Sequence, residues 1–316
     1  MQLNSAMAAA KVNFSDYRSI LMREGFPVVG AVDFTEALPT YQVHAERYRQ
    51  WVGRGSHGEM TYLARGLDRR LNPKLVFPEL ESVITVLMPY NAQPVGNESL
   101  RYARYLNGPD YHSEIQEKLS RAMQEAQKLN PELKYKICVD TSAVLERTWA
   151  ALCGLGWIGK NTLLIHPQLG SYLFIGVVFL NQKMGMKPTL LKDYCGNCIL
   201  CLNACPTNAL PEPHFLESRE CISYLTLEKR GQWEKKIDLK GYVAGCDLCQ
   251  EVCPFNVKVT RASENESATV HTSLELNLDK LLSETEEQYR ARTADSALSR
   301  IKFNDFKRNL EARTKN

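Results

Sequence analysis

Eight of the ten cysteines in this 316-residue chain lie between residues 195 and 253, in two ordered runs. The first reads Cys195-Gly-Asn-Cys198-Ile-Leu-Cys201-Leu-Asn-Ala-Cys205-Pro206. The second reads Cys246-Asp-Leu-Cys249-Gln-Glu-Val-Cys253-Pro254, with Cys221 ahead of it. C-x2-C-x2-C-x3-C-P is the bacterial iron–sulfur spacing, in which the fourth cysteine serves the other cluster. Three thiolates at i, i+3 and i+6 wrap one face of a cubane, and the proline turns the fourth toward a neighbour. The spacing therefore predicts one [4Fe–4S] cluster on Cys195, Cys198, Cys201 and Cys253, and a second on Cys205, Cys221, Cys246 and Cys249. Val243 and Ala244 stand where the second run lacks its leading cysteine, so Cys221 fills that place across an insert.

Structural zinc also takes four thiolates, but it needs neither the cysteine at i+6 nor the Cys-Pro endings. A disulfide framework belongs to short secreted chains. Residues 1–14 are mixed and polar, with no apolar core of a signal segment. Cys138 and Cys153, outside the runs, read as small buried residues.

The longest apolar run, Leu173 to Leu180, spans eight residues. That suits a buried strand and falls far short of the ~20 residues needed to cross a bilayer. The expectation is a soluble, cytoplasmic protein in which thiols stay reduced, with no membrane partner. A net charge of +3 is small, but its distribution is uneven. From Arg290 to Asn316 there are eight Lys/Arg against three Asp/Glu, and Lys229, Arg230, Lys235, Lys236 and Lys240 crowd the insert after Cys221. Such patches attract phosphate; solvated helix faces have the same composition.

Residues 1–185 alternate strand-like and helix-like segments. Val28–Val32, Val83–Met88 and Leu173–Leu180 read as core strands. Tyr111–Leu129 reads as a helix with Ile115, Leu119, Ala122, Ala126 and Leu129 on one stripe. Val144–Cys153 reads as another, with Ser142 as N-cap and Gly154 as its stop. The alternation predicts an α/β (α+β) domain over 1–185, followed by a ferredoxin-like two-cluster module over 186–260. Residues 261–316 read as a linker, polar between Ala262 and Ser273, and a short helical tail.

Gly154-Leu-Gly156-Trp-Ile-Gly159-Lys160-Asn161 matches a dinucleotide fingerprint in letters only. That motif must leave a strand and open a helix, whereas here it follows a helix. No acid stands some 20 residues on to read a ribose. Asp140 is placed at a strand-to-helix corner, where it is either a helix cap or a site residue near the carboxyl end of a strand. To act as an acid it would need a pKa above ~3.9, raised by burial against an apolar ligand. The six histidines form no metal pattern. His112, beside Tyr111, reads as a surface or satisfied core residue that could also face a site.

Taken in order, several segments resemble the epoxyqueuosine reductases, cobalamin-dependent iron–sulfur enzymes of queuosine biosynthesis. They are Arg70-Leu-Asn-Pro-Lys, Asp110-Tyr-His112, Val139-Asp140-Thr with Arg147, and Gly156-Trp-Ile-Gly-Lys160-Asn161. Gly170-Ser-Tyr172, Cys221-Ile-Ser-Tyr-Leu-Thr226 and Gly245-Cys246-Asp247-Leu-Cys249-Gln-Glu-Val-Cys253-Pro-Phe-Asn256 continue the match. The resemblance runs from about residue 15 to 310. Many family members continue into a helical-repeat domain, and this chain stops soon after Arg308-Asn-Leu310, which removes any tRNA contact made there.

The resemblance implies an N-terminal cobalamin domain joined to the cluster module. It also implies reduction of the cyclopentane epoxide of epoxyqueuosine to the alkene of queuosine, in the anticodon loop of tRNA. By similarity Asp140 is the proton donor and contacts the cofactor, and Arg70, Ala103, Leu164, Ile175, Ser223 and Asp247 are further cobalamin contacts. Lys229 is then a tRNA contact. Cobalamin is expected base-off, because the chain lacks the D-x-H-x-x-G run that supplies a lower histidine. The partners implied are a tRNA anticodon stem-loop and an external one-electron donor, with the enzyme a monomer. Two alternatives share parts of this pattern. A reductive dehalogenase-like cobalamin enzyme acting on a small substrate would carry a twin-arginine export signal, and a ferredoxin-type electron carrier would need no proton donor.

Overall fold

Two long apolar stretches, Ser82–Pro89 and Leu173–Leu180, become the central strands of the molecule, because each is apolar on both faces. The computed structural model describes residues 12–90, 92–262 and 270–314. The strands are β1 Val28–Asp33, β2 Ser82–Pro89, β3 Val95–Asn97, β4 Leu100–Tyr102, β5 Tyr135–Cys138, β6 Trp157–Ile158, β7 Leu164–Ile165, β8 Leu173–Leu180 and β9 Tyr242–Ala244. The helices before the cysteines are α1 Phe14–Arg23, α2 Phe34–Gly53, α3 Thr61–Arg65, α4 Leu67–Leu71, α5 Tyr111–Leu129 and α6 Glu146–Leu152. Those after are α7 Leu200–Asn203, α8 Ile222–Leu227, α9 Leu248–Glu251, α10 Pro254–Ala262, α11 Leu278–Ser283, α12 Glu286–Thr293 and α13 Phe303–Thr314.

The main sheet has the order β1-β2-β8-β5, and every neighbouring pair is antiparallel. Side chains alternate across it as the pleat requires. Val83, Leu87, Val177 and Phe179 face α2 and α6, where Trp149 stacks on Tyr41 at 4.6 Å. Ile84, Val86, Val178 and Leu180 face α1 and α5. The fold is thus a mixed, helix–sheet–helix layering on an antiparallel sheet. The carboxyl-end rule invoked for Asp140 belongs to parallel sheets, so it does not account for the site here.

Helix α5 spans the residues its stripe predicts and buries Ile115, Leu119, Ala122, Met123 and Ala126. Leu129, expected on that stripe, is exposed at the last turn. Asp110 caps the helix, accepting from His112 N at 3.0 Å. The next helix starts later than expected. Residues 140–144 bend without helical structure, α6 begins at Glu146, and Ser142 does not cap it.

The cysteine-bearing segment is sewn to the N-terminal part by a second sheet, β3-β4-β9, in which β9 runs parallel to β4. Gly245 follows β9 at φ +71°, and a Cβ there would meet Ala103 Cβ at 2.4 Å. Only glycine permits both the left-handed backbone and that approach. Tyr102, Val243, Tyr289, Phe306 and Leu310 form a further core. The expected helical tail is therefore packed, with α11, α12 and α13 covering the second sheet. Part of the expected polar linker, residues 263–269, lies outside the described residues. Among the described residues, no helix is long and apolar enough to cross a membrane.

Candidate active site

Short helices α7 and α9 carry the two cysteine runs and pack together. A cavity of about 180 Å³ is lined by Cys195, Cys198, Cys201 and Cys253, with Lys160, Asn161 and Phe255 around it. The glycine-rich segment that mimics a nucleotide loop covers this cavity as the β6–β7 hairpin. Trp157 Nε1 donates to Cys195 Sγ at 3.5 Å, and Lys160 Nζ donates to the Gly196 carbonyl at 2.6 Å. The other four cysteines converge nearby. Cys221 stands at the N-terminus of α8, and Ala209 N donates to Cys205 Sγ at 3.3 Å. Burial pushes the Cys246 thiol up, and charge on Cys221 and Cys205 adds to that. Cys249 is raised by burial and by Cys246 and Cys221. Each group has the thiols to hold a four-iron cluster. Cys138 and Cys153 are buried in the N-terminal cores.

Asp140 follows β5 at φ +50°, one of few non-glycine residues in that region, a conformation that costs about 1–2 kcal/mol. Three charged side chains meet there. His112 Nε2 lies 2.9 Å from Asp140 Oδ2, and its Nδ1 lies 2.5 Å from Asp110 Oδ1. Arg300, from the turn before α13, donates Nη1 to the same Asp140 oxygen at 3.0 Å. Burial works to raise the Asp140 pKa, but the hydrogen bond from His112 and the Arg300 charge outweigh it and hold the carboxyl below its ordinary value. Burial likewise opposes charge on His112, and its bonds to Asp140 and Asp110 prevail, so its pKa is raised. To act as an acid against a bound ligand Asp140 would need the opposite shift; nothing in the sequence signals that a turn 160 residues downstream of Asp140 brings a guanidinium to it. His112 is neither a surface nor a core residue: its side chain is 14% exposed and holds the site together. The Asp-x-His spacing at a helix cap was the available signal, whereas Arg300 gave none.

The residues implied as cofactor contacts fall into two sets. Arg70 is buried behind Tyr62 and Leu63, and Leu164 and Ile175 belong to the core beneath α6. Ala103 and Asp247 lie on the cysteine side, where Asp247 accepts from Arg104 N at 2.7 Å, and Ser223 is on α8. Near Arg70 and Asp140, Glu146 Oε1 is buried with no hydrogen-bond partner among the described residues. Burial pushes the Glu146 carboxyl up to about 8. The matched Gly170-Ser-Tyr172 and Asn256 segments meet as well: Asn256 Oδ1 accepts from Ser171 N at 2.6 Å. The larger cavity, about 540 Å³, lies behind Tyr111 and Phe174 and is lined by none of these residues.

The basic insert is largely neutralised by neighbours. Lys229 pairs with Glu59 at 2.5 Å, Arg230 with Asp305 at 3.3 Å, Lys235 with Glu220 at 2.7 Å and Lys240 with Asp238 at 2.6 Å.

Comparison with known proteins agrees with this arrangement. Residues 70–141 match the family model described as Epoxyqueuosine reductase QueG, DUF1730. Residues 194–256 match a 4Fe-4S double cluster binding domain. The epoxyqueuosine reductase of Cyclobacterium marinum is 33% identical over 291 residues, spanning 90% of this chain and 92% of the relative. A crystal structure of epoxyqueuosine reductase with an epoxyqueuosine-modified tRNA stem loop shares the fold, with a TM-score of 0.79 at 24% identity, over 95% of this chain and 80% of that one. So does the Bacillus subtilis enzyme with its aspartate catalytic loop swung out of the active site, at a TM-score of 0.80 and 23% identity over the same shares. With one relative aligned over nine-tenths of its length, this chain belongs to the epoxyqueuosine reductase family.

Proposed function

We propose that this protein reduces epoxyqueuosine in the anticodon loop of tRNA to queuosine, with Asp140 as proton donor. The observation that carries the reading is the placement of Asp140, on an exposed loop tied by His112 and Arg300, in a chain that also gathers two sets of four cysteines. The fold of a relative that holds the modified stem loop supports tRNA as the partner.

The two cysteine sets would hold [4Fe–4S] clusters, passing single electrons inward from an external donor. The residues present also fit cobalamin. The corrin rim bears amide groups, and the buried Glu146 carboxyl beside Arg70 and Asp140, which burial keeps protonated up to about pH 8, can donate to or accept from one of them. Arg70, Ala103, Asp140, Leu164, Ile175, Ser223 and Asp247 would hold it, base-off and without a histidine from the protein. When bound, cobalamin supplies a strong reductant at the epoxide carbon. The protein's own task is at oxygen. An alkoxide is a poor leaving group until protonated, so an acid placed at that oxygen accelerates its departure. Asp140, 47% exposed beside the exposed Tyr62, is open to a substrate on one side. Lys229 on the insert would meet the RNA backbone by releasing Glu59.

The test is anaerobic turnover of a stem-loop RNA bearing epoxyqueuosine, with cluster-loaded protein, cobalamin and a chemical reductant. A nucleoside lighter by one oxygen is expected from the wild type. Asp140→Asn should keep its iron and corrinoid spectra and lose at least ~100-fold in rate. Wild-type turnover by that variant would remove Asp140 from the role.

A further inference from the structure

We propose that His112, held by Asp110, recharges Asp140 with protons, so that both protons of the released water pass through one carboxyl group. This rests on Asp140 being the donor. The balance of the reaction requires such a device. Two C–O bonds break, one carbon–carbon π bond forms, and two electrons and two protons convert the epoxide oxygen to water. Both protons end on the same oxygen, yet a carboxyl carries one.

The geometry supplies the second. Asp140 Oδ2 faces His112 Nε2 at 2.9 Å, and Nδ1 on the far side of the ring faces Asp110 at 2.5 Å. An imidazole with a carboxylate at each nitrogen satisfies both bonds as donor only when it is protonated. The ring is stacked on Tyr111 at 3.9 Å, which fixes its plane. Asp110 is more exposed than His112 and gives the ring its route to solvent protons. Other groups facing the pair do not serve. Arg300 Nη1 is 3.4 Å from His112 Nε2 and 3.0 Å from Asp140, but a guanidinium does not release its proton. Burial holds the Tyr62 phenol at about 12 and raises Tyr105 and Tyr111 further. The Glu228 charge acts on Arg300 and Tyr62. The raised His112 and lowered Asp140 pKa values agree: the shared proton rests on the ring and crosses when the alkoxide draws on Asp140. His112 is thus a positioning residue that acts through Asp140.

The experiment compares wild type, His112→Gln, Asp110→Asn and Asp140→Asn, each with its iron content verified. Single-turnover alkene formation on the stem-loop is followed across about pH 5.5–9, and the His112 ring is titrated by 15N NMR without substrate. Wild type should lose rate as pH rises through the His112 pKa, and that midpoint should fall in Asp110→Asn along with the NMR value. His112→Gln keeps a hydrogen-bond donor but cannot titrate, so it should be about tenfold slower or more and lose that limb. A wild-type rate and profile in His112→Gln, with Asp140→Asn inactive, would overturn the relay and leave the donor in place. An active Asp140→Asn would sink the donor reading itself.

Discussion

At Asp140, charge rather than burial decides the protonation state. His112 has a raised pKa, so its contribution to stability is complete below the ordinary imidazole value of about 6.5 and is lost as pH rises through the folded value. Asp140 is lowered, so its contribution is complete above about 3.9 and is lost as pH falls through its folded value. The pair is therefore intact between roughly pH 4 and 6.5 and loosens on either side. Arg300 adds a half-exposed contact to the same oxygen, and such pairs are worth at most about 1 kcal/mol. Arg300→Met should accordingly slow turnover at saturating RNA by no more than about fivefold, the factor that energy corresponds to. A loss beyond a hundredfold would show that Arg300 touches the substrate.

At the scale of elements, the cysteine module works because short helices present thiols at fixed spacing and loops do the rest. Cys221 is the one ligand candidate far from either run, placed at the start of α8 after a 3-10 turn over Ser218–Glu220. Replacing it removes one of four thiolates from a single site. Cys221→Ala should lower iron from about eight per chain toward four, with the 195–201 set intact. An unchanged iron count after anaerobic reconstitution would break the assignment. The β6–β7 hairpin shows how a motif misleads. Its glycines serve tight backbone contact, where a Cβ on Gly156 would meet the Ile165 carbonyl oxygen at 2.4 Å, and its lysine points at the cysteine loop.

Across the whole molecule, α13 fastens the parts together. Asn309 is fully buried, and its Nδ2 donates to the carbonyls of Thr226 and Val243, at 2.8 and 2.9 Å. Arg308 beside it donates to the carbonyls of Leu225, Lys229 and Gly231 and packs over Trp233. The last helix thereby fixes both the second sheet and the insert that carries Lys229. Asn309→Leu would leave two buried carbonyls unpaired, at about 1–3 kcal/mol each. Anaerobic thermal unfolding should show the midpoint lowered by roughly 3–9 °C; a change under 2 °C would mean that water replaces the amide.

The three core strands, helix α5 and the grouping of the eight cysteines were legible in the sequence, because hydrophobic period and ligand spacing are local properties of the chain. The antiparallel order of the main sheet was not. Its central strands are buried on both faces, and such strands read alike in parallel and antiparallel sheets. The sequence also pointed to Asp140, from its corner position and by resemblance, but not to the groups that hold its pKa down in the absence of a ligand. Its ionisation depends on Arg300, 160 residues away, and on a histidine brought across from α5. Charges act through space, so only the tertiary structure could bring them to one oxygen.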